Sequence, residues 1–388
     1  MELKEVAAKY EDYLIEHRRW FHAHPEYSEQ EFESCKHIRA ELDKMGVEWR
    51  PCGLETGTLA TIHGAKPGKT ILLRADMDAL KVQEETGLEF ASQNEGLMHA
   101  CGHDCHMAML LTAAQVLKDM KEDLCGTVRL AFQPSEEIGT GAKSMIAEGA
   151  MDGVDGCFAI HVWADVPSGK VSSEAGPRMA ACDMFKIYVT GKSCHGAQPH
   201  QGVDPVVVCS QLVNAIQVIV SREVDPTQCA VMTVGEIRAG NSWNVVPDSG
   251  FLQGTARCFD VGVRKQLEEA LKRMVKSVGE TYRAEMKLEW IPIVPPAINH
   301  PDMAALGAEA AKKVLGDEAL YHYDKTNGGE DTAYFIEKAP GALAFLGVGC
   351  EECGAIWPQH NSKFRVDESA LLGGVKLYVQ TAMDFNAQ

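Results

Sequence analysis

Residue types that bind transition metals recur in this chain from Cys101 to His360, far too widely for any local motif to unite them. They are Cys101 and His103, the adjacent pair Glu136 and Glu137, His161, and His360. Cysteine, histidine and carboxylate are the usual ligands of such ions. Two neighbouring carboxylates cannot easily point the same way. One can hold a metal while the other faces a bound water as a base. Only a fold that returns repeatedly to one place can use such a set. The pattern points to metal-assisted hydrolysis more than to a structural metal knot.

The chain supplies that kind of fold. Apolar β-type runs at Thr58–His63, Thr70–Ala75, Gly126–Phe132 and Cys157–Val162 alternate with helical patterns over 106–120 and 142–148. Residues 66–69 read as a turn, and residues 1–45 as helical with Trp20 and Phe21 as anchors. Alternation of this kind predicts an α/β domain with a mainly parallel sheet. Near residue 180 the pattern changes. Strand-like Phe185–Thr190, helical Pro205–Glu223, strand-like Ala230–Arg238 and Gly250–Phe259, helical Val263–Val278 and strand-like Glu285–Trp290 follow in order. That succession predicts a ferredoxin-like split unit. The expected division is 1–180 for the first part of the α/β domain, 181–291 for the inserted unit and 292–388 for the second part. The second part has helices at 301–315 and 331–338, a strand at Ala342–Gly347 and a last helix from Asp367.

Each candidate has an ordinary reading beside the functional one. A lone Cys-x-His is commonly a buried thiol next to a core histidine. The stretch from Met98 to His106 holds three histidines, two cysteines and Asp104, more polar groups than a core segment normally carries. In an extended segment Cys101 and His103 face the same side. Asp104 is placed to orient a ligand, and His99 and His106 read as supporting or structural. Glu136 and Glu137 follow a strand ending at Gln133-Pro134, at the sheet edge where open α/β proteins bind ligands. The alternative there is a solvated acidic loop. Gly139 and Gly141 favour close backbone approach. His161 reads as a strand end, Asp76 and Asp78 alternate at another, and His360-Asn361 follow a Gly- and Pro-containing loop.

Composition narrows the function. The chain has 388 residues, 45% hydrophobic and 24% charged, with a net charge of -18. So acidic a chain is a poor partner for nucleic acid or anionic membranes. No apolar run is expected to span a bilayer, and the charged N-terminus lacks the apolar core of a secretory signal. Thirteen cysteines, an odd number in a large chain, suggest reduced thiols in a cytoplasm.

Taken in order, these motifs resemble the di-metal aminoacylase and carboxypeptidase family, in the branch of N-acyl-amino-acid amidohydrolases, hippurate hydrolases and auxin-conjugate hydrolases. The likeness runs nearly end to end. It rests on Arg19–Glu26, Leu73–Leu80, His99–Asp104, Phe132–Glu137, His161, Cys194–His200 with Gly202, Asp204 and Pro205, Asn244–Pro247, and His360-Asn361. The resemblance implies that Cys101, His103, Glu137, His161 and His360 ligate two divalent transition-metal ions. Glu136 would be the general base and then acid, and Asp78, ahead of Asp76, the supporting carboxylate. His195 would stabilise the oxyanion, and Asn244 would help hold the substrate. The inserted domain would be a lid and dimerisation domain in a homodimer or higher homo-oligomer. A thiolate ligand favours Mn, Zn, Co or Ni over Mg or Ca, with Mn or Zn ahead. Ser362, Arg365 and Thr332 depart from the family's commoner residues at pocket rims, outside the metal set.

The implied reaction is hydrolysis of an N-acyl amino acid to a carboxylic acid and a free amino acid. A dipeptidase or carboxypeptidase with the same chemistry is the near alternative. A thiol redox enzyme built on Cys101 and Cys105 leaves the glutamates and distant histidines unused, and its spacing is not the usual one. A non-catalytic metal-binding protein has no need of a spare carboxylate beside a ligand.

Overall fold

The apolar runs form a seven-stranded sheet. In the computed structural model, which describes residues 2–388, its spatial order is Glu48–Pro51, Thr58–His63, Cys125–Gln133, Lys66–Asp76, Gly156–Pro167, Gly341–Gly349 and Val171–Ser172. The four strands from Cys125–Gln133 to Gly341–Gly349 are mutually parallel. The rims pair antiparallel. Residues 71–76 and 341–348 are buried throughout, as parallel strands covered on both faces must be. The expected mainly parallel α/β sheet is therefore present, with an antiparallel border.

Some local expectations need correction. Residues 66–69 belong to the strand Lys66–Asp76 rather than to a turn. A register irregularity between Lys66 and Thr70 accommodates Pro67, which has no N–H to give the ladder. In place of the continuous helical stretch expected over 1–45, the described residues 2–45 hold three helices, Leu3–Ala8, Glu11–Ala23 and Phe32–Met45, the last two separated over 24–31 where Pro25 stands. The helix expected over 331–338 is confined to Ala333–Ile336. The helix His103–Asp119 is almost wholly buried. The C-terminal helix Leu371–Asn386 lies against the sheet, and its buried Tyr378 hydroxyl donates to the Arg74 carbonyl (2.7 Å) and accepts from the Ile160 amide (3.2 Å).

Two compact units result. The first runs to Arg178 and resumes over Ile298–Asp324 and Asp331–Gln388; the second is Met179–Ala297 with Lys325–Glu330. The second unit thus extends beyond the expected 181–291. Its last strand continues to Val294, and residues 325–330 join it through a Met179–Thr326 bridge and an Ala180 amide bond to the Gly328 carbonyl.

The second unit is an antiparallel sheet in the order Ala230–Ala239, Ser249–Cys258, Ala181–Thr190, Glu285–Val294. The helices Pro205–Val218 and Val261–Tyr282 pack on it through Val208, Leu212, Ile216, Leu267 and Leu271. This is the ferredoxin-like arrangement. The expectation that no apolar run could span a bilayer also needs correction. Pro205–Glu223, 19 residues with an 18-residue window of mean hydropathy 1.3, is long and apolar enough by length and composition alone. Its buried side is nevertheless part of this unit's core, and polar Ser210, Gln211, Asn214 and Gln217 lie on its exposed side.

Candidate metal centre

Parallel register sets Asp76 beside Gln133 and His161 beside Phe345. Beyond Gln133 the chain turns through Ser135, whose φ is 54°, into Glu136 and Glu137. Gly141 makes this turn possible, since a Cβ there would lie 1.6 Å from the Pro134 carbonyl oxygen. His161 lies within the strand Gly156–Pro167, not at its end as expected, because that strand runs on past the site.

Cys101 and His103 converge by a different route from the extended segment expected. Gly102 has φ +90°, and a Cβ on it would meet Val162 Cγ2 at 2.4 Å. This tight turn makes His103 the first residue of the long buried helix. His360 is brought in by its own backbone. It has φ +66°, and its amide donates to the Ala100 carbonyl at 2.7 Å. Two triads result: the ligand atoms of Cys101, His103 and His161 lie within 4.8 Å of one another, and so do those of Cys101, Glu137 and His360. Cys101 belongs to both.

Hydrogen bonds orient the imidazoles. His103 Nδ1 donates to the Asp78 carbonyl (2.8 Å) and His161 Nδ1 to the Val162 carbonyl (2.7 Å). Each Nε2 is thereby left as the atom facing the cluster, the arrangement that fixes a ligating histidine. His161 Nε2 is 3.6 Å from Cys101 Sγ. His106 is a support rather than a member of the two triads. Its Nε2 accepts from the Val162 amide (2.8 Å) and its Nδ1 donates to Asp76 (2.5 Å).

One carboxylate organises the glutamate pair. Asp78 accepts the Glu136 amide on Oδ1 (3.1 Å) and the Glu137 amide on Oδ2 (3.0 Å), and Oδ2 also accepts the Ser28 hydroxyl (2.6 Å). The Glu137 side chain then enters the second triad, 3.5 Å from His360 Nε2. Glu136 reaches instead toward the Asp331 amide, 3.4 Å away. Asp76 is differently engaged, between Arg74 (2.6 Å) and His106.

The electrostatics favour a cation. Burial alone would lower the His103 pKa, but Asp76, Asp78 and Glu137 outweigh it and push it up to about 10. Burial raises Glu137 to about 7, with His103 opposing and Asp78 reinforcing the rise. Burial and His106 hold His161 neutral, well below its usual range. Buried His103 Nε2 and Glu137 Oε1 have no hydrogen-bond partner, an unusual cost for two polar atoms that face each other 4.0 Å apart. Divalent cations, one in each triad, would satisfy both. The donor set therefore fits metal ions, and its thiolate and imidazoles suit transition metals.

His195 and Asn244 lie in the second unit and are neighbours there. Val245 pairs with His195, and the Gly196 amide donates to the Asn244 carbonyl at 2.8 Å. Both side chains are exposed. The Ala197 amide donates to His195 Nδ1 (3.0 Å), so in the neutral ring Nε2 carries the proton.

Asp104 does not orient a ligand, contrary to expectation. At the start of the helix it turns away to Arg18 (3.2 Å) and His22 (2.7 Å), tying down the second N-terminal helix. Other supports escaped the sequence reading. Glu31 accepts the Ser135 amide at 2.8 Å, and Asp331 accepts from Arg74 and Gln133, each at 2.8 Å. Pro25 was the available signal for a loop carrying Ser28 and Glu31; nothing local marks Asp331.

Comparison with known proteins decides the family. Residues 72–384 match the model of peptidase family M20/M25/M40. The chain belongs to this family. Thermostable carboxypeptidase 1 of Saccharolobus solfataricus is 41% identical over 99% of this M20 chain and 98% of its own. N-acetyl-L-cysteine deacetylase of Bacillus subtilis is 41% identical over 93% and 85%. The crystal structure of a Bacillus subtilis protein described as a dinuclear metal binding peptidase of the M20 family superposes with a TM-score of 0.86 at 34% identity, covering 98% of this chain and 99% of that one. The M20 chain is a metal-dependent hydrolase of amide bonds.

Proposed function

We propose that this enzyme releases the acyl group from an N-acyl amino acid, using two ions of the manganese or zinc class held by triads that share Cys101. Cobalt and nickel suit the same donors. The observation that carries the reading is the division of the glutamate pair by Asp78, which sends Glu137 among the ligands and leaves Glu136 for proton transfer. When bound, the ions make water more acidic and the amide carbonyl more electrophilic. Glu136 takes the proton of the attacking water and returns it to the departing amine. His195 donates from Nε2 to the oxygen on which negative charge develops, in its own site or a partner's, and Asn244 helps hold the substrate.

The B. subtilis deacetylase supports an N-acyl amino acid substrate. A carboxypeptidase or dipeptidase is the second reading, favoured by the Saccharolobus relative's name. We take the working form to be a homodimer or higher homo-oligomer. We place it in the cytoplasm because, among the described residues, none of the thirteen cysteines is in a disulfide.

The test is a set of rates for the metal-loaded enzyme on N-acetyl amino acids, hippurate and free dipeptides. Preference for the first two supports the proposal, and preference for dipeptides replaces it with the second reading. Glu136→Gln should keep its metal and lose turnover by roughly 10²–10⁴-fold. Near-normal turnover with metal bound would place the base elsewhere.

A further inference from the structure

Outside the candidate centre, a second cluster of metal-binding groups has no role in the proposed reaction. Cys350 and Cys353 flank a tight turn closed by reciprocal bonds between Cys350 and Ala355 (2.9 and 2.8 Å). Gly354 continues the turn with φ +75°. The Cys353 amide donates to Cys350 Sγ at 3.3 Å, so the backbone already solvates that sulfur as it would a thiolate. Asp367 contributes a carboxylate, and the ligand atoms of Cys350, Cys353 and Asp367 lie within 4.8 Å of one another. The strand Gly341–Gly349 holds one side of this arrangement. The Asp367 amide bonds to the Val348 carbonyl (3.0 Å), and its carboxylate accepts from Ser168 (2.6 Å) and caps the next turn at Ser369 (3.0 Å).

We propose that Cys350, Cys353 and Asp367 form a separate site for one zinc-class ion. Cys-x₂-Cys on a turn is a common half of a zinc site, and three protein ligands leave a fourth position for water. Two soft sulfurs with one carboxylate exclude magnesium and calcium as preferred occupants. Glu351 and Glu352, exposed on the same turn, add negative charge; the Arg365 guanidinium lies beside Gly354. Binding releases the two thiol protons to solvent. The ion fastens the turn, which precedes the loop that delivers His360, to Asp367, which follows it at the start of the C-terminal helix. Disulfide exchange is the competing use of the pair.

The test uses the full chain, reduced and then equilibrated with zinc or with chelator. Elemental analysis should find one more zinc per chain in the wild type than in the Cys350→Ser/Cys353→Ser variant, with the rate on an N-acyl amino acid unchanged. Equal counts overturn the proposal. An arm free of variants guards against misfolding. Zinc should protect Cys350 and Cys353 from alkylation and chelator should expose them, while exposed Cys229 labels equally in both. Equal labelling of the pair with and without zinc overturns the proposal. So does a Cys350–Cys353 disulfide that persists in protein isolated without oxidant. Neither readout depends on the assignment of the dinuclear centre.

Discussion

Replacing Asp78 with asparagine tests the positioning of the glutamate pair most directly. The Asp78 carboxylate accepts both glutamate amides and the Ser28 hydroxyl, and its Oδ1 lies 3.3 Å from His103 Nδ1. Against the burial that would raise its pKa, the nearby His103, the Ser28 hydrogen bond and the Glu137 amide hold it below the usual range. An asparagine side chain has nearly the same shape but no charge and only one acceptor oxygen. Whichever end carries the NH₂ group confronts a backbone N–H that is already a donor. A hydrogen bond to a charged group contributes about 1.5–3 kcal/mol, and a buried donor left unsatisfied costs about 1–3 kcal/mol. A net loss of roughly 2–4 kcal/mol follows for the geometry of the pair. If it falls on the transition state, turnover drops roughly 30- to 1000-fold. Steady-state kinetics on an N-acyl amino acid, with metal content by elemental analysis and a urea melt, reads this out. Ser28→Ala is the control: it removes one donor and leaves both amide bonds, so it should cost tenfold or less, about 1 kcal/mol. Wild-type turnover in Asp78→Asn with full metal would refute the reasoning. So would equal losses in the two variants.

Three further outcomes are expected. Because Cys101 belongs to both triads and His161 to one, Cys101→Ala should lose both ions and His161→Ala chiefly one; full occupancy in both variants would sink the ligand assignment. His195→Ala should keep its metal and fold while losing far more in kcat than in KM, and recovery of activity on mixing it with Glu136→Gln subunits would show a site shared between copies. Burial and the neighbouring His17 push the His37 pKa down to about 4, below the 6.5 of the unfolded chain. The unfolded state then binds more protons between those values, so stability is full above about pH 6.5 and falls toward pH 4; urea midpoints for His37→Gln should lose less across this window than wild type, and an equal loss would remove His37 from the acid response.

The α/β core and the ferredoxin-like unit were legible because their signals are local, in apolar runs and in a change of periodicity near residue 180. The candidate ligands were legible because unusual residue types stand out even when far apart. What stayed hidden depends on partners distant in sequence. Asp331 gives no sign that it will receive Arg74 and Gln133, and Glu31 looks like an ordinary acidic residue on a helix. Reading 1–45 as uniformly helical passed over Pro25 and so concealed the Ser28–Glu31 support. Asp104 was misread for a related reason: its position beside His103 suggested a shared task, but successive helical residues point in different directions and Asp104 meets Arg18 instead.

The strand Gly341–Gly349 is sixth of seven in the large sheet, between Gly156–Pro167 and the short Val171–Ser172, although the whole of Met179–Ala297 intervenes in the chain. During synthesis the second unit emerges as a nearly continuous piece and has its four strands and two helices in hand early. The first unit must wait with a sheet open along the Gly156–Pro167 edge. Cys101, His103 and His161 have left the ribosome long before His360 can join them. Of the two triads, the one with His161 is thus complete in the nascent chain first, and the one with His360 only near release. A chain terminated before Gly341 would leave Gly156–Pro167 paired on one side only, an open sheet edge and a ready template for aggregation.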